Sequence, residues 1–162
     1  MNARGVVFVH SSPTAVCPHV EWAISGVLGT KVSLQWTPQP AVPGQLRAEC
    51  TWSAAVGSGG AIAGALRAWT MLRFEVTEDP SPGVDGERYC YVPGLGLWRG
   101  QTSANGDIVV GENRLRAVLA ETPAAQVPAR MYDLLGAAWD DALEDFRHAS
   151  DGAPVTWLHQ VG

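Results

Sequence analysis

Cys17, Pro18 and His19 stand together where a helical pattern begins, and His10 ends the apolar run before them. At a helix N-terminus the macrodipole and the free N–H groups favour a thiolate. These residues therefore outline either a nucleophilic or redox thiol at Cys17 with His10 or His19 as base, or a metal site built from all three. Against both, Cys17 has no CxxC partner, no Asp or Asn is spaced to orient a base, and buried cysteines are common.

A second group lies on alternate positions of two strand-like runs: Arg47, Glu49 and Thr51, then Arg73, Glu75 and Thr77. The loop beyond adds Glu78, Asp79, Asp85, Glu87 and Arg88. Carboxylates beside arginines can do acid–base work or hold a divalent cation, and Glu75, Asp85 and Arg88 are the residues to test for it. The plainer reading is a set of cross-strand ion pairs on a solvated face. A third feature, Gly57-Ser58-Gly59-Gly60, precedes a helix and could offer N–H groups to a phosphate, but it lacks the Gly-Lys-Ser/Thr ending of a P-loop. A fourth is acidic: Asp140, Asp141, Glu144 and Asp145 cluster on a late helix, as a solvated face or as a docking surface for a basic partner.

The elements that must position these residues follow from periodicity. Gly5–His10 is an apolar run suited to a central strand, and Val20, Ile24, Val27 and Leu28 mark a helix over 19–28 that Gly29 closes. Val32, Leu34 and Trp36 alternate as a second strand; Leu46, Ala48, Cys50 and Trp52 alternate as a third. A helix carrying Ile62 and Leu66 follows, then a fourth strand with Leu72, Phe74 and Val76. The order β-α-β-β-α-β is the ferredoxin-like plan, with both helices on one apolar sheet face and the strands around Val7 and Cys50 as central neighbours.

Beyond residue 78 the pattern predicts a hairpin (88–92 and 95–101), a short helix over 112–121, and one long helix over 127–148 with Met131, Leu135, Ala138, Ala142 and Phe146 as its stripe. A final short apolar segment, 155–159, puts Trp157 and His159 on one side of a strand, where it can dock on its own sheet edge or augment another chain. Because the first strand is apolar at nearly every position, its second face needs cover, and the C-terminal helices are available for it. The expectation is one α+β domain over 1–162, with a ferredoxin-like core over 1–78 and a hairpin and helical extension over 79–162 packing on the sheet.

Five runs taken together resemble a known family: Gly5–Ser11, Cys17–Trp22, Phe74–Glu78, Pro82–Tyr89 and Trp157–His159. The likeness is to short actinobacterial proteins grouped as a domain of unknown function, and it extends over nearly the whole chain. It implies an actinobacterial, cytoplasmic protein and lends no activity, substrate or site residue.

Composition narrows the classes. The chain has 162 residues and a formal charge of −5, and Lys31 is its lone lysine among 11 basic residues, so no basic stripe is present for nucleic acid. No apolar run reaches the roughly 18 residues of a membrane span. Met1–Val9 has none of the marks of a secretory leader, and three widely spaced cysteines make no disulfide framework, which together predict a reducing cytoplasm. Seven tryptophans exceed what a core of this size needs. With Trp98, Trp139 and Trp157 falling late, the C-terminal half is expected to present a partner surface. These features favour a non-catalytic binding or regulatory module on a larger protein or enzyme assembly, with no cofactor and self-association left open. The alternative is a small enzyme using Cys17 or the Glu75/Asp85/Arg88 group.

Overall fold

The first strand is longer than the apolar run that announces it. In the computed structural model, which describes residues 1–149, 151 and 154–158, β1 spans Asn2–Pro13. Val7 and Val9 point to one face and Phe8 to the other, as the two-residue strand period demands. The alternation then fails: pairing to both neighbours shifts register between Val9 and Ser12, and His10, Ser11 and Ser12 are all buried. His10 nevertheless stays on the Phe8 side of the strand, its ring stacked on that of Phe8.

β1 pairs antiparallel with β3 (Gln45–Ala55), Val7 opposite Cys50, and with β4 (Arg73–Glu78), Val7 opposite Val76. The expected Val7–Cys50 neighbourhood is thus present. Gly5 belongs to this pairing for a steric reason: a Cβ there would sit 1.8 Å from the Thr77 carbonyl oxygen. Helices α1 (Cys17–Leu28) and α2 (Ser58–Leu66) cover the face that carries Val7, Val9, Cys50, Trp52, Phe74 and Val76. Val20, Ile24, Ile62 and Leu66 are wholly buried against it.

The second predicted strand is corrected. Residues 32–36 alternate and bury Val32 and Leu34, but form no ladder. Side chains of α1 satisfy their backbone instead: Ser25 Oγ accepts from Val32 N (2.9 Å), and Glu21 Oε1 accepts from Leu34 N and the Trp36 indole N–H (both 2.9 Å). Only β2 (Thr37–Pro38) pairs with β3.

The sheet continues from β4 to β5 (Gly86–Val92), β6 (Gly96–Thr102) and β7 (Ile108–Val109), in the order β2-β3-β1-β4-β5-β6-β7. β8 (Val155–Trp157) joins the outer side of β3 in parallel, Cys50 opposite Thr156, while every other pairing is antiparallel. The last apolar segment therefore docks on the chain's own edge. The described residues form a mixed α+β structure of eight strands and five helices.

The long predicted helix is also corrected. α3 (Glu112–Glu121) stands as expected, but residues 127–148 form α4 (Val127–Leu135) and α5 (Ala137–Ala149), separated at Gly136. Gly136 has φ +74°, the left-handed conformation that ends a helix. Trp98 packs so close that a Cβ on Gly136 would meet its ring at 2.8 Å. The break divides the stripe: Leu135 is exposed on α4, whereas α5 buries Leu143 and Phe146. Leu143, with Ala142 and Trp139, packs on Cys90, Val92 and Trp98, so α5 lies on the sheet face opposite α1 and α2. The expected cover for the second face is present over β5 and β6 and reaches Glu75 on β4 through Arg147, leaving the area above Phe8 open.

Candidate functional site

Phe8 and its cross-strand neighbours define the part of the second face that α5 leaves open. Phe8 lies opposite Glu49 on β3 and opposite Glu75 on β4, so the ring has a carboxylate on either side. A cavity of about 790 Å³ opens over it, bounded by Arg88 and Arg147 on one side, by Arg4 and Asp79 on another, and by the Ser103–Gly106 turn.

Glu75 is the centre of the floor. Its side chain is 7 % exposed and it takes three basic partners. His10 donates from Nε2 to Oε2 at 2.6 Å, Arg88 donates to Oε1 at 2.8 Å, and Arg147 donates Nε to Oε2 at 3.0 Å and its other nitrogen to Oε1. The strand period of β1 delivers His10 on the Phe8 face, the β4–β5 pairing delivers Arg88, and α5 delivers Arg147. Asp140, two turns before Arg147, accepts from it at 2.9 Å and from Arg88 at 3.4 Å. Two arginines are thus held between two carboxylates.

Burial by itself would raise the Glu75 pKa, but the hydrogen bonds from His10, Arg147 and Arg88 outweigh it and hold the carboxyl far below its ordinary range. The Cys90 thiol, 3.4 Å from Glu75 Oε1, is pushed up to about 12 by burial and then by that carboxylate. Arg147 moves the other way: burial opposes its charge, and Glu75 with Asp140 more than restores it. Glu75 is thus a permanently ionised anchor, unsuited to passing a proton at neutral pH.

The sequence-predicted residues scatter around this centre. Glu75 and Arg88 come together, with His10 as an unforeseen partner, while Asp85 stays exposed in its loop. His10, Cys17 and His19 do not converge. Cys17 is 5 % exposed, its Sγ 3.5 Å from Ser12 Oγ and from the Pro13 carbonyl oxygen; His19 stacks on Trp69. The helix start does not leave the Cys17 sulfur exposed, the condition on which a depressed thiol pKa is expected. Desolvation raises the Cys17 pKa, and the nearby Glu21 charge adds to it. Among the described residues no group of three or more His, Cys, Asp or Glu side chains is placed to hold a metal ion.

The Gly57–Gly60 cradle is filled from within. Glu78 accepts from Gly57 N and Gly59 N, each at 2.8 Å, so the chain's own carboxylate occupies the place a phosphate would take. The acidic helix divides in two: Asp140 belongs to the cluster and Glu144 accepts from His148 at 2.8 Å, leaving Asp141 and Asp145 exposed. Two of the late tryptophans, Trp98 and Trp139, pack inward. Trp98 is buried, and Trp139 donates its indole N–H to the Gly96 carbonyl at 2.9 Å; Trp22 on α1 is instead exposed. Trp157 lies in β8, and His159 lies outside the described residues.

Sequence reasoning missed Arg147 and His10 as partners of Glu75. For Arg147 a signal existed in its seven-residue spacing from Asp140, which puts both on one side of α5. For His10 the signal was the strand period, which puts it two residues from Phe8 and so on the face that carries Glu75.

No helix among the described residues is long and apolar enough to cross a membrane. Neither a curated protein nor a solved structure matches the chain. A family match covers residues 6–160, under the description "Protein of unknown function (DUF3145)". With nearly the whole length matched, the chain belongs to the DUF3145 family.

Proposed function

We propose that this chain is a non-catalytic binding module whose ligand site is the cleft above Phe8, and that it works as a regulatory part of a larger cytoplasmic protein or enzyme assembly. One observation carries the reading: the buried Glu75 carboxylate, held by His10, Arg88 and Arg147, is built into the floor of an open cavity. Burying charge is costly, and a well-packed apolar group in its place is often neutral or stabilising. A fold that brings Glu75, His10, Arg88 and Arg147 together from three strands and a helix gains a rigid polar floor. That is what a recognition site requires.

The enzyme alternative has less support. Cys17, Cys50 and Cys90 are all buried with raised thiol pKa values, and Glu75 is locked as an anion. The cytoplasmic placement rests on the same three unpaired thiols, and an actinobacterial source on the resemblance described above. The β2-β3-β1-β4 order with α1 and α2 on one face supports a ferredoxin-like reading of residues 1–78. The β4–β5 ladder supports treating 1–162 as one unit.

The test is a fragment screen by NMR with compounds of all charges. Hits are expected to move the amides of Phe8, Thr77, Arg88, Ser103 and Asn105 together. Hits that gather elsewhere, or none at the cleft, overturn the reading. Affinity purification from the native host then tests the assembly, where recovery of the chain only as an isolated species speaks against it.

A further inference from the structure

Every arginine that lines the cleft is already paired. Arg4 meets Asp79 at 3.3 Å, and Arg88 and Arg147 are shared between Glu75 and Asp140. The lining carboxylates outnumber them. Glu75, Glu78, Asp79 and Glu87 have partners within the chain, Glu87 with Arg99 and Tyr89. The Glu49 side chain makes no hydrogen bond to any described residue, although it is partly buried and lines the cavity. Desolvation raises its pKa, and His10 partly offsets this.

The Phe8 ring lies directly across the β1–β3 ladder from Glu49, a separation of about 5 Å between Cβ atoms for such pairs. His10 stacks parallel to Phe8 with ring centroids 6.0 Å apart, which extends the flat floor toward Glu75. An aromatic face attracts cations through its quadrupole, and a neighbouring unpaired carboxylate adds to the attraction. An anionic ligand would find no free guanidinium among the described lining residues and would meet Glu49 as a repelling charge.

We infer that the Phe8–Glu49 end of the cleft is a site for a small organic cation, an ammonium or guanidinium carried on a flat apolar group. The ammonium pairs with the Glu49 carboxylate, and the apolar part lies on the Phe8–His10 floor. This rests on the cleft being the ligand site, and it names the ligand's class.

Three probes of one shape test it: phenethylammonium, its neutral isostere propylbenzene, made soluble as the para-phenol, and its anionic isostere 3-phenylpropionate. Each is titrated into the intact chain, and amide shifts are followed at Phe8, Glu49 and Thr77. The ammonium is expected to bind at least about tenfold more tightly than either isostere. Glu49→Gln should weaken it by about tenfold with an unchanged thermal midpoint, and Phe8→Leu several-fold. If the neutral or anionic probe binds as well, or Glu49→Gln leaves the ammonium affinity intact, the cation inference fails while the cleft remains a binding site. If no probe of the three moves cleft amides at millimolar concentration, the inference also fails. The charge-blind fragment screen then decides separately whether the cleft binds anything.

Discussion

β4 carries two buried carboxylates, three residues apart and facing opposite sides of the sheet, and the chain neutralises them in different ways. Glu78 points to the α1–α2 side, where two backbone N–H groups at the start of α2 receive it. Glu75 points to the cleft side, where three side chains from β1, β5 and α5 receive it. The first solution is local and helix-dependent; it caps α2 and serves the fold. The second draws together elements distant in sequence, uses formal charges, and leaves an open cavity beside it. The difference separates a structural anion site from one that positions a recognition surface.

The largest effect should follow from removing Glu75. Glu75→Ala leaves His10, Arg88 and Arg147 without their shared anion, and breaking a buried ion pair costs about 3–5 kcal/mol. Urea unfolding should show this as a lower midpoint, with early loss of α5 packing reported by Trp139 fluorescence. The pH dependence sharpens the contrast. The native Glu75 pKa is depressed, so its stabilisation is complete above the unfolded carboxyl value of about 4.3 and is lost as pH falls below it toward the native value. A Glu75→Gln variant should therefore lose less stability between about pH 5 and pH 3 than the parent. An identical acid slope in both would contradict the assignment.

Glu78→Ala should cost less, about 1–2 kcal/mol, the scale of a lost helix cap. Its signature should be local: faster amide exchange at Gly57 and Gly59, with the α5 amides unchanged. If Glu78→Ala destabilised the chain more than Glu75→Ala, the division between a local and a long-range anion site would be wrong. Gly136→Ala belongs beside it, at about 1–3 kcal/mol, since a Cβ would both strain the left-handed backbone and press on Trp98. Calorimetry of the two variants separates them, because only the second should loosen α5.

The two anion sites were unequally legible in the sequence. The alternation of β3 and β4 placed Glu49 and Glu75 on one face correctly, because a strand's period needs only the order of residues. The glycine run at Gly57–Gly60 announced an anion cradle, but nothing local revealed that Glu78, 19 residues beyond Gly59, would fill it. The 32–36 segment misled for a related reason. Its alternation reported burial, and burial came from α1 rather than from a ladder. The helix break at Gly136 was visible as a glycine, yet apolar spacing on both sides outweighed it until Trp98 was known to pack there. Long-range pairings decide a site's chemistry, and periodicity carries no record of them.

The smallest effect concerns the acidic helix, where the same comparison is repeated within four residues. Asp140 reaches Arg88 and Arg147 and Glu144 pairs with His148 on the surface, while Asp141 and Asp145 are exposed with no such partner among the described residues. Asp140→Asn should lower the unfolding midpoint by a fraction of the Glu75→Ala effect, since Arg88 and Arg147 keep Glu75. Asp141→Asn with Asp145→Asn should leave the midpoint where it is, because exposed charges away from partners contribute little to stability. That pair therefore tests docking without disturbing the fold. If α5 offers a charged surface to a partner, the double variant should recover less of it from a native lysate, with the deficit growing as salt is lowered. Equal recovery at every salt concentration would leave the acidic helix with its internal role alone, and the cleft as the chain's recognition surface.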